Sequence, residues 1–332
     1  MADYQGVMIF AEIADGKLAP ISRELLGIGR KLANALQEEL STLVAGDGVA
    51  DIAPEAISFG ADKVFIVDDP LLHDYRTDPY VTVIEKIVQR TNPRILLLGQ
   101  TIIGRDLAPR AAFRLGTAVT LDCIALEIDS DTKQLLQTKP VYGGNACAIY
   151  IMETYPQMAT VRAKAMTDPI PDSSHKGEII QITAGLDNAD IKTNILQKVV
   201  QETQGIKLED ASIVIAGGRG IGGPEGFKQL EKLARLLKGA LGASRPPCDY
   251  GWVKDTMQIG LTGKIVAPDV YLAVAVSGSS QHLAGFSEAR NIIAINRDPE
   301  ANIFKEARFG VVGDWKKVIP GFEAKIKELM GK

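Results

Sequence analysis

The stretch ASIVIAGGRGIGGPEGF, residues 211–227, runs from apolar residues into a glycine cluster with G-x-G-x-x-G spacing at Gly218, Gly220 and Gly223. Glycines so placed let backbone amides approach a phosphate at the start of a helix, and Arg219 adds positive charge. They serve equally well in a tight strand-to-helix turn. A dinucleotide loop also needs an acidic side chain about 20 residues on, to hold ribose hydroxyls. That neighbourhood reads LGASRPP, with Ser244 and Arg245 in place of an acid. A second stretch of small polar residues, SGSSQHLAG, follows Val276 and contains His282. Alone it also fits a helix N-cap, where serine is favoured for local reasons.

No nucleophile with its own base stands out. A hydrolase of the Ser/His/Asp kind lacks its G-x-S-x-G elbow here, and His73 and His175 lie in polar, loop-like surroundings. Cys123, Cys147 and Cys248 are widely separated, without the paired spacing of zinc or iron-sulfur ligands. They read as reduced thiols of a cytoplasmic protein, with Cys123 and Cys147 expected in the core. A formal net charge of -4 leaves no basic stripe for nucleic acid. Neither a signal-like N-terminus nor an apolar run of membrane-spanning length is seen, so membrane insertion is not expected.

These loops must be held by larger elements. With 332 residues, 46% hydrophobic and 23% charged, the chain suits a globular protein of about two domains. From residue 6 onward, short apolar runs alternate with amphipathic stretches, the α/β pattern of parallel strands and right-handed crossovers. Past Ala118 the period changes: TLDCIALEIDSDTKQLLQTKPVYGG alternates around the turn-prone DSDT, and ATVRAKAM follows. We expect these segments to form an antiparallel addition to the first domain. IIQITAGL reads as one more strand, and the boundary is placed at Gln204 and Gly205, giving domains 1–204 and 205–332. The second half restarts the alternation with SIVIAGG, then a helix presenting Phe227, Leu230, Leu233 and Leu237 on one face, then DVYLAVAVSG and NIIAIN. The expected architecture is a Rossmann-like N-terminal α/β domain with added antiparallel strands, followed by a doubly wound C-terminal domain. In open α/β sheets ligands sit beyond the carboxyl ends of the strands, which is where the glycine and serine stretches fall.

Taken in order, GGRG, GASR, QIGLTGKIVAPDVYLAVAVSGSSQHLAG, AIN and GDW resemble the α subunit of electron transfer flavoproteins, whose C-terminal domain binds FAD. GRDLAPR and PVYGGNA extend the resemblance into the first domain. By position it implies FAD contacts from Arg219, Ser244, Arg245, Gln258, Ile259, Gly260, Leu261, Thr262, Ser277, Gly278, Ser279, Ser280, Gln281, His282, Asn296, Asp314 and Trp315. In the family the arginine matching Arg245 lies against the isoalloxazine, where it favours an anionic semiquinone. At about 4 Å and an effective dielectric of ~20 a full charge contributes ~4 kcal/mol, or up to roughly 0.2 V for one electron. The resemblance further implies that His282 donates to the pyrimidine end of the ring, that the Thr262 hydroxyl reaches N5, and that Asn296 and Asp314 meet the adenosine. GRDLAPR would shape the subunit interface, although Arg105 and Asp106 also fit a simple cap and pair at a helix start.

Such a chain is an electron carrier that works with a β subunit and docks acyl-CoA dehydrogenase or another flavin dehydrogenase. Residues 155–166, YPQMATVRAKAM, resemble the branch in which NADH reduces a second FAD in the β subunit and electrons bifurcate to a ferredoxin-like carrier. Tyr155 replaces an arginine expected there. In the single-flavin branch the β subunit holds AMP and electrons go to a quinone-linked acceptor. Leu261 departs from that branch's glutamine near the ring, while Pro246 and Pro247 would lie beside the flavin and stiffen the loop that presents Arg245. The rivals are an NADP-dependent Rossmann oxidoreductase, using the Gly218 loop and Arg245 for phosphate, and a nucleotide-binding regulatory module.

Overall fold

The computed structural model describes residues 4–144, 146–188, 191–198 and 206–331. These fall into two compact units. The first comprises the described residues of Met1–Val141 and Cys147–Lys198, and the second those of Val199–Lys332 with Tyr142–Ala146. The boundary expected at Gln204 and Gly205 lies outside the described residues.

In the first unit β1 (Val7–Ala11) leads through a short hairpin, β2 (Ile13–Ala14) and β3 (Lys17–Leu18), into α1 (Pro20–Leu36). Then follow β4 (Leu40–Gly46), α2 (Ala53–Ser58), β5 (Lys63–Asp68), α3 (Thr77–Thr91), β6 (Ile95–Gly99), α4 (Ile102–Leu115) and β7 (Val119–Cys123). β8 (Ala125–Ile128), β9 (Leu135–Val141) and β10 (Ala146–Tyr150) form a separate three-stranded sheet, and β11 (Gln157–Val161) and β12 (Glu178–Gln181) return to the main one. The main sheet has seven strands in the order β12-β5-β4-β1-β6-β11-β7, and every recorded pairing in it is parallel. Such strands are covered on both faces, so β1 is buried throughout. Its alternate residues serve opposite cores: Val7, Ile9 and Ala11 face α1, while Met8 and Phe10 join the core of α3 and α4.

The antiparallel hairpin expected around DSDT forms as β8 and β9, its turn held by Asp129 accepting from the N–H groups of Asp131 and Thr132. The flanking segments correct the sequence expectation. TLDC and the ATV of ATVRAKAM belong to β7 and β11, parallel strands of the main sheet, with β11 inserted between β6 and β7. All five β11 residues are buried, the environment of a central parallel strand. Cys147 is also corrected: it is exposed on the small sheet, whereas Cys123 and Cys248 are buried.

The second unit runs β13 (Ile213–Gly217), α5 (Pro224–Leu236), β14 (Ala240–Ala243), α6 (Arg245–Asp249), β15 (Val270–Val274), α7 (Ser280–Leu283), β16 (Ile292–Asn296), α8 (Ile303–Glu306), β17 (Phe309–Val312) and α9 (Trp315–Leu329). Its five parallel strands take the order β14-β13-β15-β16-β17. Phe227, Leu230 and Leu233 of α5 pack with Ile215, Leu272 and Trp315 on one face. On the other, Val214 and Tyr271 pack with Phe286 and Ile303. The strand order reverses between β13 and β15, and a crevice opens at the carboxyl ends of strands where that happens.

Candidate functional site

A cavity of about 920 Å³ lies at this reversal point. The loop after β13 contributes Arg219 and Gly220, the end of β14 and α6 contribute Ser244, Arg245, Pro246 and Asp249, and the loop after β15 contributes Ser277, Ser279, Gln281 and His282. A turn over residues 258–262 closes one side, and Asn296, Arg297, Asp298 and Glu300 follow β16 on another. Thus the predicted residues Arg219, Ser244, Arg245, Gln258, Ile259, Gly260, Leu261, Thr262, Ser277, Ser279, Gln281, His282 and Asn296 are brought together. Asp314 and Trp315 instead line a smaller adjoining cleft of about 210 Å³, which shares Gly220, Ala275, Asn296 and Arg297 with the first. Gly278 and Ser280 line neither.

The glycine fingerprint has a packing purpose. A Cβ on Gly218 would stand 2.1 Å from the Ala275 carbonyl oxygen, so the loops after β13 and β15 lie directly on one another. The N–H of Gly218 donates to the Val274 carbonyl at 2.9 Å. Helix α5 begins with Pro224 and carries Glu225 in its first turn, and residues 223–225 line neither cavity. A dinucleotide loop would turn that helix start toward a pyrophosphate, so the geometry counts against the dehydrogenase reading.

Donors to an anion come from elsewhere. Among the described residues the backbone N–H groups of residues 277–281 make no hydrogen bond within the chain. Arg219 and Arg297 border the cavity without an ion-pair partner among the described residues. Unengaged amides beside free cations favour a phosphate or pyrophosphate.

Several predicted side chains are already engaged. Arg245, whose side chain is 67% exposed, pairs through Nε with Asp249 Oδ2 at 3.3 Å. Its charge is partly balanced and solvated, so the ~4 kcal/mol expected of an unshielded guanidinium is an upper bound. Pro246 lines the cavity, but Pro247 is buried behind it with Cys248, whose thiol burial pushes up to about 11. Both prolines sit in the first turn of α6, where a missing N–H costs nothing. The Thr262 hydroxyl accepts from Gln258 Nε2 at 2.9 Å, and Leu261 is exposed at the cavity edge. The Asn296 amide donates to the Val276 carbonyl and accepts from the N–H of Asp298, tying the loops after β15 and β16 together. Asp314 caps α9, and the Trp315 indole donates to the Gly220 carbonyl at 3.3 Å, so both act as supports beside the cavity.

The largest departure is His282. Only 4% exposed, it places Nδ1 2.8 Å from the Ile259 carbonyl oxygen and Nε2 3.1 Å from the Tyr271 hydroxyl. Burial drives its pKa down to about 4. A carbonyl can only accept, so Nδ1 carries the proton and Nε2 of the neutral ring accepts from the hydroxyl. The imidazole therefore has no N–H left for a ligand, contrary to the role the resemblance implies. Arg297, Asp298 and Glu300 are cavity residues that sequence reasoning missed. Their signal was position alone, directly after the strand that ends at Asn296.

In the first unit, Asp106 pairs with neither Arg105 nor the start of α4. It accepts from the hydroxyls of Tyr75 and Thr77 and so anchors the start of α3, while Thr101 caps α4. Tyr155, in place of the expected arginine, stacks on Tyr4 with ring centroids 5.3 Å apart.

Fold and site thus define a protein of two α/β units, the second offering a cofactor-sized cleft with anion-binding donors. Comparison with known proteins supplies the family. The Electron transfer flavoprotein domain matches residues 7–187, and the Electron transfer flavoprotein FAD-binding domain matches residues 207–287. The chain is 44% identical over 330 residues to an electron transfer flavoprotein subunit alpha of Thermoanaerobacterium thermosaccharolyticum, covering 99% of this chain and 100% of that one. It is 42% identical over 334 residues to the corresponding subunit of Megasphaera elsdenii, covering 100% and 99%. Protein FixB of Clostridium saccharobutylicum is 40% identical over 334 residues, covering 99% and 98%. The chain belongs to the electron transfer flavoprotein alpha-subunit family. Among the described residues no helix is long and apolar enough to cross a membrane.

Proposed function

We propose that this chain is the FAD-binding subunit of a heterodimeric electron transfer flavoprotein, an electron carrier of the cytoplasm rather than a catalyst of organic transformations. The observation that carries the reading is the row of unengaged amides at residues 277–281, whose Ser277, Ser279 and Gln281 line a 920 Å³ cavity at the reversal point of a doubly wound sheet. The cavity volume suits a cofactor-sized ligand. Its loops after β13, β14 and β15 fall within the stretch matching the FAD-binding domain. When bound, FAD supplies the redox chemistry, accepting and releasing electrons singly. The 277–281 amides, with Arg219 and Arg297, would hold its pyrophosphate. Arg245, at the end of β14, would place positive charge where a reduced ring gathers negative charge. The turn over residues 258–262 would cover the ring and exclude water.

For the branch, we propose NADH-dependent operation with a second FAD in the β subunit, supported by the YPQMATVRAKAM resemblance. Within the first unit that segment's residues have packing duties: Gln157 holds the N–H of Leu135 and the carbonyl of Met152, and Arg162 forms a bidentate pair with Asp122. The dehydrogenase and the acceptor, ferredoxin-like or quinone-linked, follow from the branch. The deciding experiment is co-purification with the β subunit and analysis of released cofactors. Two FAD per heterodimer, bleached by NADH, are expected. One FAD with AMP would move the protein to the single-flavin branch, and a colourless protein that binds NADPH would overturn the FAD reading.

A further inference from the structure

Tyr271 lies in β15, fully buried, its ring stacked on Phe286 with centroids 3.8 Å apart and planes 3° from parallel. Tyrosine in a core brings a hydroxyl that needs a partner, and a phenylalanine would fill this stack without that requirement. The partner is His282 Nε2, and Nδ1 of the same ring bonds the Ile259 carbonyl on the turn that lines the cavity. The same turn is tied to α7 by the Leu261 N–H donating to the Gln281 carbonyl at 2.7 Å, and to β14 by the Ile259 N–H donating to the Ala243 carbonyl. Without the imidazole, the Ile259 carbonyl would lack the one side-chain donor recorded for it among the described residues. The chain of bonds thus runs from the centre of the sheet, through one side chain, to the wall of the cavity.

We propose that Tyr271 is a positioning residue of the cavity: its hydroxyl orients the His282 imidazole so that Nδ1–H holds the Ile259 carbonyl and fixes the turn over residues 258–262. His282 then acts as a bracket inside the wall and not as a ligand of whatever occupies the cavity. The Ile259 carbonyl sets the ring's tautomer, the hydroxyl holds Nε2 and keeps the ring from turning toward the cavity, and the stack on Phe286 sets the hydroxyl. Because it concerns FAD as occupant, the effect on affinity rests on the function proposed above; the bracket itself does not.

The test uses the full chain labelled with ¹⁵N-histidine, with His73→Gln and His175→Gln used to assign the remaining resonances. In the cofactor-free wild type the His282 ring is expected as the Nδ1–H tautomer, without protonation down to about pH 5. Tyr271→Phe keeps the stacked ring and loses only the hydroxyl. It is expected to raise the titration of His282 by at least about one pH unit as the freed ring reaches water, and to weaken FAD binding about fivefold, the cost of one net hydrogen bond. A wild-type ring that is Nε2–H or titrates near its ordinary value overturns the proposal even if the variant fails to fold. A Tyr271→Phe spectrum identical to wild type also overturns it, whatever happens to affinity. If the imidazole behaves as expected and FAD fails to bind the wild type, the bracket stands and the cofactor assignment falls.

Discussion

Both units reverse their strand order at one point, but only the second is built to receive a ligand there. In the second unit the residues directly after β13 and β15 are small, and the amides beyond β15 point to no partner in the chain. In the first unit the equivalent point, between β1 and β6, is filled from within. Glu12 follows β1 and accepts from the Thr101 hydroxyl at 2.6 Å, and that hydroxyl also accepts from the N–H of Gly104, satisfying the start of α4. Ser22 closes the other side, accepting from the Glu12 N–H and donating to the Glu12 carbonyl. Gly99 is so enclosed that a Cβ there would stand 2.7 Å from Ile21 and 3.0 Å from the Glu12 carboxylate. Topology thus provides a crevice in each sheet, and the few residues after each strand decide whether it is open.

The most damaging way to break the contrast is to add one carbon behind the loop after β15 that lines the open crevice. Gly278 has φ +81°, and a Cβ there would stand 2.3 Å from the backbone nitrogen of Ile303. Gly278→Ala combines left-handed strain with overpacking, a loss of roughly 3 to 5 kcal/mol. Denaturant titration is expected to show that loss, and FAD titration the disappearance of binding. Unchanged stability and affinity would mean that the loop after β15 is not the rigid cradle described.

The closed crevice should answer to pH. Burial raises the Glu12 carboxyl to about 7, the Thr101 hydrogen bond offsetting part of the shift. Glu24, on α1, is likewise raised to about 7 by burial, with the N–H groups of Lys164 and Met166 opposing. A carboxyl with a raised folded-state pKa stabilises the fold below its unfolded value, and that stability is lost as pH rises through the folded value. The window here is pH 4.5 to about 7. Glu12→Gln removes the ionisation and should gain relative to wild type as pH rises, by roughly 3 kcal/mol at pH 8. FAD affinity should not change. A variant less stable than wild type at pH 8 would show that the carboxylate is held as an anion, and the filled crevice would need a different account.

Part of this contrast was legible beforehand. Apolar runs separated by amphipathic stretches announce parallel α/β units, and the rule that ligands lie beyond strand carboxyl ends places Arg219, Ser244 and Ser277 around one cavity. What stayed hidden depends on partners distant in the chain. QMATV mixes the polar Gln157 and Thr160 with apolar residues, and its sequence does not record that it is wholly buried between β6 and β7. The inward turn of His282 is set by Tyr271, 11 residues back, and Ile259, 23 residues back, and no local pattern links the three. Arg297 follows a recognisable strand, yet a lone arginine after a strand looks like any solvated charge. Asp314 and Trp315 follow β17 as expected, but their roles as cap and indole donor turn them into supports of an adjoining cleft.

The smallest effects sharpen the open side of the comparison, and they come from charge rather than space. Arg245 and Asp249 lie one helical turn apart on α6, both facing the cavity and both well exposed. An exposed pair is worth about 0–1 kcal/mol, so each charge acts on a bound flavin mostly through solvent. Fixed positive charge makes an added electron easier to accept. Arg245→Ala should therefore lower the reduction potential of the bound flavin by about 50 mV, well short of the ~0.2 V of an unshielded contact. Asp249→Asn removes the opposing charge and should raise the potential by about 20 mV, growing at low ionic strength and fading at high salt. Spectroelectrochemical titration of the two variants gives both signs. Shifts in the same direction would show that the two side chains act by reshaping α6, while a shift near 0.2 V for Arg245→Ala would mean that cofactor binding pulls the guanidinium out of solvent and off Asp249.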